Sequence, residues 1–116
     1  MYEIDYYADL RGRKPAELFI DSLEAKMKAK VLGRIELLEE HGPMLGMPFS
    51  KHLDDGIFEL RTVQGNDITR ILYFFVVDEH VILTHGFVKK TQKTPSREID
   101  KAKKIRADWR NRNERL

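Results

Sequence analysis

The chain contains no cysteine. This excludes a disulfide framework, a cysteine-ligated zinc site, an iron–sulfur cluster and thiol catalysis together. It also fits a reducing compartment, and the expected location is the cytoplasm. Long apolar runs are missing as well. No stretch approaches the ~20 consecutive apolar residues of a membrane helix. The first fifteen residues, MYEIDYYADLRGRKP, carry acids where a secretory signal needs an apolar run. No membrane association is expected. Internal repeats, low-complexity tracts and Gly/Ser-rich linkers are absent, so the 116 residues read as one continuous domain, 1–116. A chain this long can bury roughly two thirds of the surface its unfolded form exposes. At 41% hydrophobic residues it can build a single core without staples.

Several chemical templates are missing too. There is no Gly-rich phosphate loop, no Gly-x-Ser-x-Gly elbow and no strand with the interleaved exposed aromatics of an RNA-recognition module. His41, His52 and His80 fall in loops or at element ends, and no spacing such as His-x-x-x-His or His with paired carboxylates suggests a metal site. The spacing predicts no metal site and no cofactor. The adjacent pairs Glu39-Glu40 and Asp54-Asp55 point to different sides and read as surface acids.

What the chain does have is unevenly placed charge. Twenty-one Lys and Arg against nineteen Asp and Glu leave a net +2. Residues 85–116 hold eleven basic and four acidic groups, a local +7, whereas the first 84 hold ten and fifteen, a local −5. A basic third of this kind is the footprint of a surface that meets polyanions. A solvated Lys-rich helix would have the same composition.

Periodicity predicts an α+β fold. Residues Tyr2 to Tyr7 alternate as an opening strand. After a turn at Arg11-Gly12-Arg13, Pro15 suits a first helical position, and Phe19 with Leu23 gives an apolar i, i+4 pair. A longer helix is expected from Ser22 to His41, with Leu23, Met27, Val31, Ile35 and Leu38 or Leu32 along one face, ended by Gly42 and Pro43. Pro43 to Asp55 reads as an irregular connection. Three strands then follow, Ile57 to Val63, Thr69 to Val77 and His80 to Val88, joined tightly enough that neighbours must be antiparallel. The middle one is apolar on both faces and so belongs at the centre. A last helix begins near Thr94-Pro95, with Thr94 able to cap it and Ile99, Ala102, Ile105 or Arg106, and Trp109 as its apolar stripe. The tail from about residue 110 reads as frayed. The predicted order is β-α-α-β-β-β-α, with helices packed on an antiparallel sheet.

Charges placed beside strands meant for burial are the first candidates for function. Arg61 interrupts one strand and Arg70 opens the next. In a hairpin turning near Gly65 both can share a face and grip one phosphate, because guanidinium forks are planar, permanently charged and bidentate toward phosphate oxygens. Ion pairing with Glu59 or Asp67 is the alternative. Lys89, Lys90 and Lys93 lie in the connection after the last strand, where parity puts Lys89 and Lys90 on opposite faces. His85 is the lone histidine inside an apolar strand, a position more often structural than catalytic.

The strings Lys51-His52-Leu53, Gly56-Ile57-Phe58-Glu59-Leu60-Arg61, Thr69-Arg70-Ile71-Leu72-Tyr73, His85-Gly86-Phe87-Val88-Lys89-Lys90 and Lys93-Thr94-Pro95 occur in that order. Together they resemble the phage-derived HigB-type branch of the RelE/ParE toxin superfamily, over Tyr2 to about Trp109. The resemblance implies a RelE-like domain that is the toxin of a type II toxin–antitoxin system, held by a helix-turn-helix, HigA-like antitoxin. It further implies a metal-independent endoribonuclease, an mRNA interferase that cuts mRNA in the ribosomal A site through the RNA 2'-hydroxyl and so inhibits translation. Carried onto this chain, Arg61 and Arg70 match the strand arginines and Lys89, Lys90 and Lys93 the basic segment. The arginines would stabilise the pentavalent phosphate, and Lys89 or Lys90, with His85 behind them, would remove the proton. Lys93, Arg97, Lys101 and Lys104 would hold RNA, including ribosomal RNA. The alternatives are a non-enzymatic, ParE-like toxin binding DNA gyrase and a basic RNA-binding module without catalysis.

Overall fold

The computed structural model describes residues 1–113. Its elements run β1 (Glu3–Tyr6), α1 (Pro15–Asp21), α2 (Ala25–His41), a 3-10 turn (Gly42–Met44), β2 (Ser50–Asp54), β3 (Ile57–Gln64), β4 (Asp67–Val76), β5 (His80–Val88) and α3 (Ser96–Asn113). The sheet has five strands in the order β1-β5-β4-β3-β2. The strands β2 to β5 form an antiparallel meander, while β1 lies parallel to β5, so the sheet is mixed rather than purely antiparallel. A parallel pair needs a long connection; here two helices and three strands intervene.

The expected β-α-α order is correct, but β2 lies inside the segment that reads as irregular. Ser50-Lys51-His52-Leu53-Asp54 carries one apolar residue and sits at the sheet edge, so it has no alternating hydrophobic face to announce it. The long helix starts at Ala25 rather than Ser22, because Ser22 closes α1: its N–H donates to Leu18 O at 3.1 Å and its hydroxyl to Phe19 O at 2.6 Å. The tail expected to fray is helical through Asn113, and the remainder of it lies outside the described residues.

Each sheet face carries its own core. On one, Ala16 and Ile20 of α1 and Met27, Val31 and Leu38 of α2 pack on Leu60, Ile71, Tyr73, Val81 and Leu83. On the other, Ala102 of α3 packs with Ile57, Leu72, Phe74 and Ile82, with Ile105 and Trp109 at the margin. Because strand side chains alternate between faces, the middle of β4 must be apolar on both, and Ile71 to Phe74 are all at most 1% exposed.

One irregularity sets the position of everything downstream. Leu72 pairs with His85, but its neighbour Tyr73 pairs with Leu83, leaving Thr84 as an extra residue in β5. This bulge reverses the parity of the strand. Before it, even-numbered Ile82 faces α3; after it, odd-numbered His85 and Phe87 do. Thr84 is anchored by its hydroxyl to Leu72 O at 3.1 Å.

Candidate functional site

Strand pairing assembles a basic cleft on the α3 face. Cross-strand partners share a face, and the ladder runs Lys51 opposite Glu59, Glu59 opposite Leu72, and Arg61 opposite Arg70. Lys89 continues β5 by donating its N–H to Ile68 O at 2.8 Å, and the reversed parity brings its side chain to the same side. The resulting cleft, about 280 Å³, has Arg61, Arg70 and Glu59 in its wall and Lys51, Lys89 and Lys93 around it. Met47, Leu53 and Ile99 add an apolar lip, with Gln92 and Thr94 from the β5–α3 connection.

Two like charges set directly opposite in a sheet repel, and this pair is offset by a carboxylate. Arg70, 1% exposed, forms a buried ion pair with Glu59, 2% exposed. The other Glu59 oxygen accepts a hydrogen bond from the Thr94 hydroxyl. Thr94 therefore ties the basic connection to the sheet instead of capping α3. Both carboxylate oxygens are thereby occupied, while the Nε–H groups of Arg61 and Arg70 are buried with no acceptor among the described residues. An unpaired buried donor costs about 1–3 kcal/mol.

The surroundings tune the cations. Burial pulls the Arg70 guanidinium below its ordinary value, Glu59 opposing and Arg61 adding to the shift. Burial likewise lowers the Lys89 ammonium, reinforced by Arg70, Arg61 and Lys51 and opposed by Glu59. Like charges favour a neutral amine, so the surroundings of Lys89 loosen its hold on its proton.

The structure therefore gathers Arg61, Arg70, Lys89 and Lys93 and separates the rest. Lys90 and Arg97 line a neighbouring hollow of about 260 Å³, which Lys89 also borders but no arginine of the sheet does. Lys101 and Lys104 are exposed on α3. His85 is 2% exposed and lies outside the cleft, its Nδ1 3.0 Å from Thr84 Oγ1 and its Nε2 3.0 Å from Glu98 Oε1. Both ring nitrogens thus have a partner within the fold. Burial holds its pKa below the ordinary value, with the Glu98 hydrogen bond working against that and Lys101 with it.

Three members of the cleft carry no site signal in the local pattern of the chain. Lys51 and His52 sit on β2, the strand that hydrophobic patterning does not reveal, although both belong to the Lys51-His52-Leu53 string. His52 Nε2 accepts the Gly56 N–H at 3.0 Å, so the neutral ring carries its proton on Nδ1. Glu59 reads along the chain only as an ion-pair partner at the surface; the pair exists, but buried.

With this geometry in place, comparison with known families is decisive. The family model described as "Phage derived protein Gp49-like (DUF891)" matches residues 18–107, more than three quarters of the chain. The chain belongs to the Gp49-like family. That family is RelE/toxin-like, and the matched span runs from α1 into α3, so it includes every cleft residue named above. No curated protein matches the chain. No helix of the described residues in this Gp49-like protein is long and apolar enough to cross a membrane.

Proposed function

We propose that this Gp49-like protein is the HigB-type toxin of a toxin–antitoxin pair, an endoribonuclease that cuts mRNA in the ribosomal A site. The observation that carries the reading is the convergence of Arg61, Arg70, Lys89 and Lys93 on one cleft, with Arg61 directly opposite Arg70 in the β3–β4 ladder. A phosphodiester supplies the oxyanion that such an arrangement lacks.

In this reaction the RNA 2'-oxygen attacks the adjacent phosphorus, the bond from phosphorus to the 5'-oxygen breaks, and a 2',3'-cyclic phosphate and a 5'-hydroxyl result. Lys89, in its neutral form, takes the 2'-hydroxyl proton. Arg61 and Arg70 stabilise the added negative charge of the pentavalent phosphate, a contribution of about 2.7–4 kcal/mol for each well-placed donor. A cation of the cleft or a ribosomal group returns a proton to the leaving 5'-oxygen. Glu59 has both oxygens occupied and acts by holding Arg70. With so few free acid–base groups, much of the rate falls to positioning of the message by the ribosome. The helix-turn-helix antitoxin belongs to the same proposal.

Primer extension on a message isolated after induction tests it. New codon-phased 5' ends with the wild-type chain, absent in Arg61→Ala, support cleavage. Growth arrest without new ends would reject it in favour of gyrase blockade or simple RNA binding.

A further inference from the structure

The cleft uses the β2 side of the sheet, and the opposite edge carries a separate cluster. Glu3 and Asp5, two residues apart on β1, project to one face, and the parallel register sets Glu3 beside His80 at the start of β5. His80 Nε2 lies 2.8 Å from Glu3 Oε2 and 3.3 Å from Asp5 Oδ2, and all three donor atoms fall within 4.8 Å of one another. We propose that Glu3, Asp5 and His80 form a binding site for one divalent transition-metal cation of the zinc class.

Three considerations support this. The first is geometric. Zinc bonds to imidazole nitrogen and carboxylate oxygen are about 2.0–2.2 Å, which places tetrahedral donors about 3.4 Å apart. The longer His80 separation, 3.3 Å, is already close to that edge length, and the shorter one, 2.8 Å, would open by about 0.6 Å. Both strands are hydrogen-bonded to each other, with Glu3 N–H donating to Glu79 O at 2.9 Å, so the donors stand on a fixed frame.

The second is proton accounting. His80 Nε2 lies within 3.3 Å of an oxygen of each carboxylate, and that nitrogen carries at most one hydrogen. One acid is left without a full partner beside a like charge. Among the described residues neither Glu3 nor Asp5 forms an ion pair with a lysine or arginine. Arg112, which shares a cleft of about 420 Å³ with Asp5 and His80, is engaged by Asp108 at 2.7 Å and by Ala8 O at 2.5 Å. A divalent ion would satisfy all three donors at once, with water as its fourth ligand.

The third is the donor set and its setting. An imidazole with two carboxylates selects zinc-like ions over magnesium, which takes oxygen ligands and keeps its waters. Asp78 and Glu79 immediately precede His80, within the part of the chain that carries net negative charge. Chain spacing does not reveal the set, because Glu3 and His80 are 77 positions apart and meet only by the parallel pairing of β1 with β5. Bound metal would clip the edge strand β1 to β5 and stabilise the folded state by mass action.

Isothermal titration with ZnCl2, and with MgCl2 as control, tests the proposal on the full chain. The expected result is one saturable zinc site per chain, no heat from magnesium at the same concentrations, and a thermal midpoint that rises with zinc. His80→Gln and Asp5→Asn should each weaken binding at least about tenfold, and His41→Gln should not. Zinc should also shift the ring resonances of His80 in the wild-type chain, a readout that requires no variant to fold. Absence of saturable binding, undiminished binding in His80→Gln, or a shift confined to His41 or His52 would each overturn it.

Discussion

Arg70 is buried against Glu59, and this ion pair is what permits Arg61 to stand directly opposite Arg70 in the β3–β4 ladder. Glu59→Gln keeps the side-chain shape and an acceptor for Thr94 but strands the guanidinium. Breaking a buried pair by removing one partner costs about 3–5 kcal/mol. Urea unfolding should therefore show a large loss in Glu59→Gln and a smaller one when Arg70→Met is added, the double-mutant cycle giving the coupling. An additive double mutant would mean that the pair contributes nothing to the fold.

Lys89 and Lys90 are adjacent, yet only Lys89 joins the arginines. Under the proposed mechanism, Lys89→Ala should lower single-turnover cleavage on programmed ribosomes by at least about a hundredfold, while Lys90→Ala changes it only a few-fold. Since burial and the neighbouring cations lower the Lys89 pKa, the wild-type rate should rise with pH and level off below the usual lysine value of 10.5. Equal losses in the two variants would reject the assignment.

His85 supplies a pH prediction for stability. Burial depresses its folded-state pKa below the ordinary 6.5, so between the two values the unfolded chain binds more protons than the folded one. This contribution is intact above about pH 6.5 and is lost as pH falls through the folded value. Urea midpoints should drop on that side of neutrality, and His85→Gln should flatten the slope there. Burial sets the direction of the shift, with Glu98 opposing it and Lys101 adding to it.

Gly86 backs onto the Phe19 ring, which a Cβ at that position would strike. Gly86→Ala should destabilise by about 1–3 kcal/mol, the usual range for overpacking, with partial rescue by Phe19→Leu. Chemical denaturation checks both; a neutral Gly86→Ala would show that α1 can shift freely on the sheet.

Binding to RNA should weaken with salt. Every phosphate that a side chain neutralises steepens the fall of log affinity with log salt by roughly 0.7–0.9. Lys93→Ala, inside the cleft, and Lys101→Ala or Lys104→Ala, on exposed α3, should each make the slope shallower by up to that amount. An unchanged slope in all three would confine phosphate binding to the arginines.

Much of this is legible along the chain. Proline and apolar spacing mark α1 and α2, the two-faced apolar run of Ile71 to Phe74 announces the central strand, and Arg61 and Arg70 stand out as charges beside buried positions. The strand β2 is not legible, since an edge strand rich in polar residues needs no hydrophobic face, and with it Lys51 and His52 are hidden from patterning. Glu59 reads as a surface acid because burial of a carboxylate depends on a partner that arrives from another strand.

The sequence by itself determined the element types other than β2, the central strand and the chemical character of the arginine pair, because these follow from local periodicity and from charges within one hairpin. Only the tertiary structure decided which lysine meets those arginines and that Glu3, Asp5 and His80 converge. The physical reason is the same in both cases. Side-chain parity can be counted along a strand only until a bulge such as Thr84 reverses it, and a bulge, like the parallel pairing of β1 with β5, is a property of hydrogen bonding between strands.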